Sequence, residues 1–224
     1  MRVEPYGIDS IVHIVNRGTR GMPIVVDKRD YARFVRSLYF MNTESPDPNW
    51  TRVEYPPASS HIKKLRKPLV RLLAFTLMPN HFHLLVQETT EGGISEFMRK
   101  IGQSMTNYHN EKYKQKGSLF QGSYRSRTVD TDIYLRYVAA YIMVKNTFEL
   151  FPKGGLSTAI VDFEGVWKWA AQYPFSSLAG YADGDTSPAI ERDLLSEIFG
   201  SPKEFKAFAH DVIRGGKWLD VDFE

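Results

Sequence analysis

Ala74-Phe75-Thr76-Leu77-Met78-Pro79-Asn80-His81-Phe82-His83-Leu84-Leu85-Val86-Gln87 is an apolar run, a short break and a second apolar run opening on two histidines. Pro79 brings a ring-fixed φ and Asn80 tolerates the left-handed region, so the break is a turn. The flanking runs, Leu69 to Leu77 and His81 to Gln87, then form a hairpin. Side chains two apart on a strand share a face. His81 and His83 therefore project together while Phe82 points the other way into a core. Two imidazoles so placed can hold one divalent metal ion. The ordinary alternative for a bare His-x-His is one ring in the core and one at the surface.

Working outward on the N-terminal side, Ser10 to Asn16 is a β-branched run bounded by Arg17-Gly18. Its near-continuous apolar character predicts a central strand covered on both faces. His13, on that strand, reads as a core histidine. Met22 to Val26 continues extended, and Asp27 can cap a helix starting near Lys28 with Tyr31, Phe34, Val35, Leu38 and Tyr39 as its apolar stripe. Residues 43–60 carry four prolines and read as a loop. It runs into a basic patch in which Lys63, Lys64, Arg66 and Lys67 are candidate phosphate contacts.

On the C-terminal side, Gly92-Gly93 precede a helix from Ile94 to about Lys112, with Ile94, Phe97, Met98, Ile101, Met105 and Tyr108 at helical spacing. Lys112, Lys114 and Lys116 make a basic turn. It feeds a predicted strand, Ser118 to Val129, whose Arg125 and Arg127 share a face and form a rail for phosphates. Asp130-Thr131-Asp132 supplies caps for a helix from Ile133 to Lys145 that carries Tyr134, Tyr137 and Tyr141. This order predicts an α+β fold, a mostly antiparallel sheet with helices packed on it. Residues 1–150 read as one body. Residues 151–224 read as an acidic extension, anchored back by aromatic residues and ending in two short helices, from Ser187 or Pro188 to Phe199 and from Pro202 to Ile213.

Composition narrows the function classes. The 224 residues are 42% hydrophobic, enough for a sizeable core. With no cysteine, disulfide scaffolds, thiolate metal sites and cysteine nucleophiles are excluded, and a reducing cytoplasm is the expected setting. No signal-peptide pattern or membrane span is visible, so a soluble protein is expected. Residues 1–150 hold 22 Lys and Arg against 14 Asp and Glu, whereas residues 151–224 hold 7 against 12. A basic body with an acidic tail suits a polyanionic partner.

Met78-Pro79-Asn80-His81-Phe82-His83-Leu84-Leu85-Val86 resembles the HUH signature (His, bulky hydrophobe, His) of the single-tyrosine transposases, closest to their REP-associated branch. Val15-Asn16-Arg17-Gly18, Gly117-Ser118-Leu119-Phe120-Gln121-Gly122 and the helix segment Tyr137 to Asn146 follow the same family's order. The resemblance spans roughly residues 8–150. It implies a ferredoxin-like or RRM-like sheet with the histidine pair on a central strand. It also implies Mg²⁺ or Mn²⁺ at His81 and His83, and a tyrosine that attacks single-stranded DNA to leave a 5′-phosphotyrosine and a 3′-hydroxyl. DNA in single-stranded or hairpin form is the implied partner, and the implied assembly is a monomer or a homodimer.

Matched to the family's late-helix motif, the nucleophile is Tyr141, with Tyr137 and Tyr108 in reserve. The family commonly places a third metal ligand four residues after the tyrosine. Here that position is Lys145, and Asn146 follows. Five residues on a regular helix turn through about 140°, so Asn146 reaches the metal only if the helix ends or bulges. Lys145 could instead touch the phosphate or lower the phenol's pKa. Arg17, the basic patch, Lys112 to Lys116, Arg125, Arg127 and Lys145 are the candidate DNA contacts. A domesticated, non-cleaving hairpin-binding protein is the competing reading, and an unrelated two-histidine metal enzyme a weaker one.

Overall fold

The computed structural model describes residues 6–53, 55, 67–182 and 187–216. Lys63, Lys64 and Arg66 of the basic patch lie outside them. Four strands, β1 (Ile11–Arg17), β2 (Val70–Leu77), β3 (His81–Glu88) and β4 (Arg125–Val129), pair antiparallel in the order β2-β3-β1-β4. Helix α1 (Lys28–Phe40) joins β1 to β2, and α2 (Gly93–Tyr113) joins β3 to β4. This β-α-β-β-α-β order with two central strands is the ferredoxin-like arrangement. β1 lies between β3 and β4, as its apolar run requires.

Two faces follow from the register. Val12 and Ile14 of β1, with Phe82, Leu84 and Val86 of β3, are fully or almost fully buried under α1 and α2, where Phe34 meets Phe82 at 4.9 Å between ring centroids. The alternate positions carry His13, Val15 and Arg17 on β1 and His81 and His83 on β3. Arg17 is paired opposite His81, Val15 opposite His83, and Val15 opposite Arg125 of β4. Directly opposed residues present side chains on one face, so the histidines and these two arginines share it.

That second face is crossed by a three-part helix. It begins as α3 (Asp132–Ala140), capped by the Thr131 hydroxyl accepting from the Tyr134 amide. It passes through a π-helical turn (Tyr141–Lys145) and finishes as α4 (Asn146–Glu149). The helix predicted to end at Lys145 thus runs four residues further, with an interruption in its middle.

Other expectations need correction. The strand predicted from Ser118 is regular only over Arg125–Val129. Residues 118–121 instead wrap the end of β1, with one bridge between Gly18 and Phe120 and amide bonds from Thr19 to the Leu119 carbonyl and from Gln121 to the Arg17 carbonyl. Leu119 and Phe120 are buried there, so their apolar character serves this docked loop and not a continuous strand.

Five further helices complete the described chain: α5 (Gly155–Val161), α6 (Phe163–Ala170), α7 (Leu178–Ala182), α8 (Asp193–Phe199) and α9 (Pro202–Gly215). α8 starts at Asp193, later than the predicted Ser187 or Pro188. The extension finishes the sheet. The Leu77 amide donates to the Phe175 carbonyl, the Ser177 amide to the Phe75 carbonyl, the Tyr181 hydroxyl to the Leu73 carbonyl and the Glu191 amide to the Leu72 carbonyl. An uncovered edge strand presents a row of unpaired backbone groups; here the extension occupies the outer edge of β2. α9 also grips α3, with Phe208 against Tyr137 and Arg136.

Candidate active site

Each histidine of the pair is oriented by a partner on its δ nitrogen. Asn80 in the β2–β3 turn donates through Nδ2 to the Gly21 carbonyl at 3.2 Å, which turns its Oδ1 toward His81 Nδ1 at 2.7 Å. An amide oxygen only accepts, so His81 donates through Nδ1, and the neutral ring then carries its lone pair on Nε2. His83 Nδ1 lies 3.0 Å from Nε2 of His13. When His83 donates in that bond, its lone pair also rests on Nε2. Imidazoles that bind metal are held in this way, with the second nitrogen fixed by the protein. His13 is fully buried, as a core histidine should be, but its partner is the second residue of the pair. Sequence reasoning missed this contact. Nothing in the sequence signals the β1–β3 register that makes it.

Tyr141 packs its ring edge-on to His83, 5.5 Å between centroids, and 6.0 Å from His13. It is almost fully buried. The π turn accounts for what lies below it. Thr76 of β2, paired opposite His83, donates its hydroxyl to the Ile142 carbonyl, pinning the helix to the sheet. The Asn146 amide donates to the Tyr141 carbonyl, a five-residue step. A π turn accommodates one more residue than a regular turn, so Asn146 stands one turn beneath Tyr141, where the fourth residue on would otherwise stand. Asn146 is fully buried, and neither its carboxamide oxygen nor its nitrogen has a hydrogen-bond partner. Buried polar groups are nearly always paired, and an exception calls for an explanation. Lys145 sits with Nζ over the Tyr141 ring, 4.7 Å from its centroid, and pairs with Glu149 at 2.8 Å.

The reserve tyrosines lie elsewhere. Tyr137 packs against Phe208, and Tyr108 donates to Asp30 under the opposite face. Of the basic candidates, Arg17 and Arg125 line a cavity of about 300 Å³ beside His81, together with Arg20, Asn16 and Gln121. Arg20, Asn16 and Gln121 escaped sequence reasoning because they come together only when residues 118–121 wrap the end of β1. Arg127 lies over the Tyr134 ring at 5.2 Å. Lys67, Lys114 and Lys116 are exposed.

Lys112 is committed to structure. It bonds Asp27 and Asp30, tying the end of α2 to the start of α1. Burial opposes ionisation of the Asp30 carboxyl, but Lys112, Tyr113, the Val26 amide and Tyr108 outweigh it and hold its pKa well below the usual carboxylate range. Burial likewise opposes charge on Lys112, and the two aspartates overcome it, raising its pKa. Lys112 thus has structural partners that its basic run did not suggest.

Among the described residues, no group of three or more His, Asp or Glu is placed to hold a metal ion. Two imidazole nitrogens and a carboxamide oxygen are a donor set of another kind. The orphaned Asn146 carboxamide fits it, because a buried oxygen without a donor is what a hard cation needs.

Residues 59–145 match the family model of IS200-like transposases. A solved structure of a REP-associated tyrosine transposase bound to a REP hairpin is similar over 84% of this chain and 88% of that one, with a TM-score of 0.46 and 14% sequence identity. No curated protein matches the sequence. Among the described residues no helix is long and apolar enough to cross a membrane.

Proposed function

We propose that this chain, a relative of the IS200-like transposases over residues 59–145, cleaves and rejoins hairpin-bearing single-stranded DNA through Tyr141. The observation that carries the reading is the buried, unpartnered carboxamide of Asn146 one π turn below Tyr141, on the helix that crosses the histidine face. His81 and His83 would hold a divalent ion through Nε2, with the Asn146 oxygen as third ligand. When bound, Mg²⁺ or Mn²⁺ supplies Lewis-acid polarisation of the scissile phosphoryl oxygens and fixes their position.

The chain's own groups do the rest. The Tyr141 phenol oxygen forms a bond to phosphorus as the bond from phosphorus to the 3′ oxygen breaks, and the departing 3′-hydroxyl takes a proton. A phenol has an unperturbed pKa of about 10 and needs a nearby positive charge to act as a nucleophile. Lys145, over the ring, supplies one. Attack by another 3′-hydroxyl on the phosphotyrosine reverses the exchange and releases Tyr141. The ring must first leave its packing against His83, because Tyr141 is only 1% exposed. That burial also favours the competing reading, a DNA-hairpin binder that no longer cuts.

Incubation with end-labelled hairpin DNA and Mn²⁺, followed by denaturing electrophoresis, separates the two readings. The expected result is a covalent protein–DNA band that disappears in Tyr141→Phe and in His81→Ala. A parent protein that shifts the hairpin but forms no such band supports the binder and overturns the enzyme.

A further inference from the structure

On the side of the sheet away from the histidines, α1 carries an arginine stripe. Arg29, Arg33 and Arg36 recur at helical spacing and fall opposite the apolar stripe of the same helix. They line a groove of about 270 Å³ walled by Trp50, in the short 3₁₀ turn Trp50–Arg52, and by Tyr108 of α2. Arg29 is exposed, and Arg33 and Arg36 are half-buried.

Arg33 is held in place without being satisfied. Its guanidinium carbon lies 4.2 Å from the Trp50 ring centroid and 5.0 Å from that of Tyr108. Its one hydrogen bond among the described residues is a long one, 3.4 Å from Nη2 to the Ser104 hydroxyl, and its Nε is buried with no partner. Burial works against the charge and lowers its pKa, Tyr108 and Glu111 favour the charge through space, and Arg36 opposes it. Arg36 donates from Nη2 to the carbonyls of Trp50, Thr51 and Val53, which fixes the turn that carries the indole. Among the described residues, none of the three arginines forms an ion pair with a carboxylate. A guanidinium taken partly out of water is ordinarily paired. A planar fork clamped between two rings, with most of its N–H groups unspent, is preorganised for an oxyanion.

The rings show what is not read. Arg33 and Arg36 lie over Trp50, at 4.2 and 6.0 Å, and Arg33 and Lys112 over Tyr108, at 5.0 and 5.5 Å. The aromatic surface is spent on the protein's own cations, whereas a base-binding groove offers it for stacking. We propose that this groove is a phosphate site that recognises charge and oxygen geometry without reading a base. The three Cα positions span about 10 Å of α1, which leaves room for more than one phosphate. A DNA backbone passing over the helical side of the sheet and a free oligophosphate share that chemistry. The site stands apart from the histidine face and needs no cleavage there.

The test uses the full-length protein at low salt. Pyrophosphate is titrated by isothermal calorimetry, and a fluorescein-labelled DNA hairpin is followed by anisotropy across a salt series. Arg33→Gln removes the fork. Arg29→Gln removes charge at an exposed position, without disturbing packing, and Arg214→Gln removes the same charge at the exposed end of α9. If the phosphates belong to DNA, each groove variant should lower the slope of log affinity against log salt by about one, and Arg214→Gln should leave it unchanged. If they are free, pyrophosphate should bind the parent, lose about tenfold in affinity in Arg33→Gln and less in Arg29→Gln, and be unaffected by Arg214→Gln. Either result supports the site and identifies its source. Equal binding of both ligands by the parent and the groove variants overturns the proposal, as does an equal loss in Arg214→Gln or an absence of binding by either ligand. The covalent-band assay reads the histidine face alone, so its failure is distinct from all of these.

Discussion

Asp30 and Asn146 are both fully buried polar side chains, one beneath each face of the sheet, and they are kept in opposite states. Asp30 receives hydrogen bonds from the Tyr108 and Tyr113 hydroxyls, from Lys112 and from the amides of Val26 and Asp27. Asn146 receives none and gives none from its side chain. Burial without a partner costs a polar group on the order of 1–3 kcal/mol. The fold meets that cost in full beneath the structural face and leaves it standing beneath the histidine face. An unsatisfied buried carboxamide is what the proposed third metal ligand requires.

The largest test of the contrast is on the satisfied side. Asp30→Ala should lower stability by about 3 kcal/mol in a denaturant titration, because it strips a buried ion pair and leaves several donors facing nothing. The carboxyl's folded-state pKa lies below its ordinary value, so its contribution is complete above about pH 4 and disappears as the pH falls further. Asp30→Asn should accordingly weaken the protein at neutral pH and flatten the loss of stability below pH 4. An unchanged acid limb would show that other carboxylates carry it.

Asn146→Leu should do the reverse. Removing the orphaned amide should raise stability by about 1 kcal/mol, while affinity for Mn²⁺, followed by electron paramagnetic resonance, falls at least tenfold. Destabilisation on the scale of Asp30→Ala would place Asn146 in the same class as Asp30 and dissolve the contrast.

The smallest effect concerns His13. His13→Leu should reduce Mn²⁺ affinity about tenfold by freeing the His83 ring to rotate, and His13→Gln, which retains an acceptor, should recover part of it. Equal affinity in parent and both variants would return His13 to the plain core role its strand suggests.

Much of this was legible from residues alone, and the reasons differ by element. The hairpin was readable because Pro79-Asn80 interrupts two apolar runs, and α1 because Asp27 caps a clean stripe. Tyr141 is singled out only through the resemblance of its helix to a family; composition and spacing do not distinguish it from Tyr134 and Tyr137. The five-residue step to Asn146 looked like a defect on a regular helix. The π turn over Tyr141–Lys145 accommodates that step, and the Thr76 hydroxyl of β2 bonds the Ile142 carbonyl within it, a strand-to-helix contact that no helix propensity encodes. The partners of His13 and the walls of the arginine cavity depend on register and on a docked loop in the same way. Lys112 reads from the sequence only as a lysine in a basic run; that it ties to Asp27 and Asp30, more than 80 residues earlier, is set by how α2 packs on α1.

The covering of β2 has a consequence for how the protein is made. Phe75 is bonded by Ser177, 102 residues further along the chain. During synthesis β2 and β3 therefore leave the ribosome long before the segment that seals their outer edge. Throughout that interval a buried-type strand, apolar along nearly its whole length, has its backbone open to any neighbour. The histidine face is complete by residue 149, yet β2 keeps an open edge until residues 175–191 have been translated.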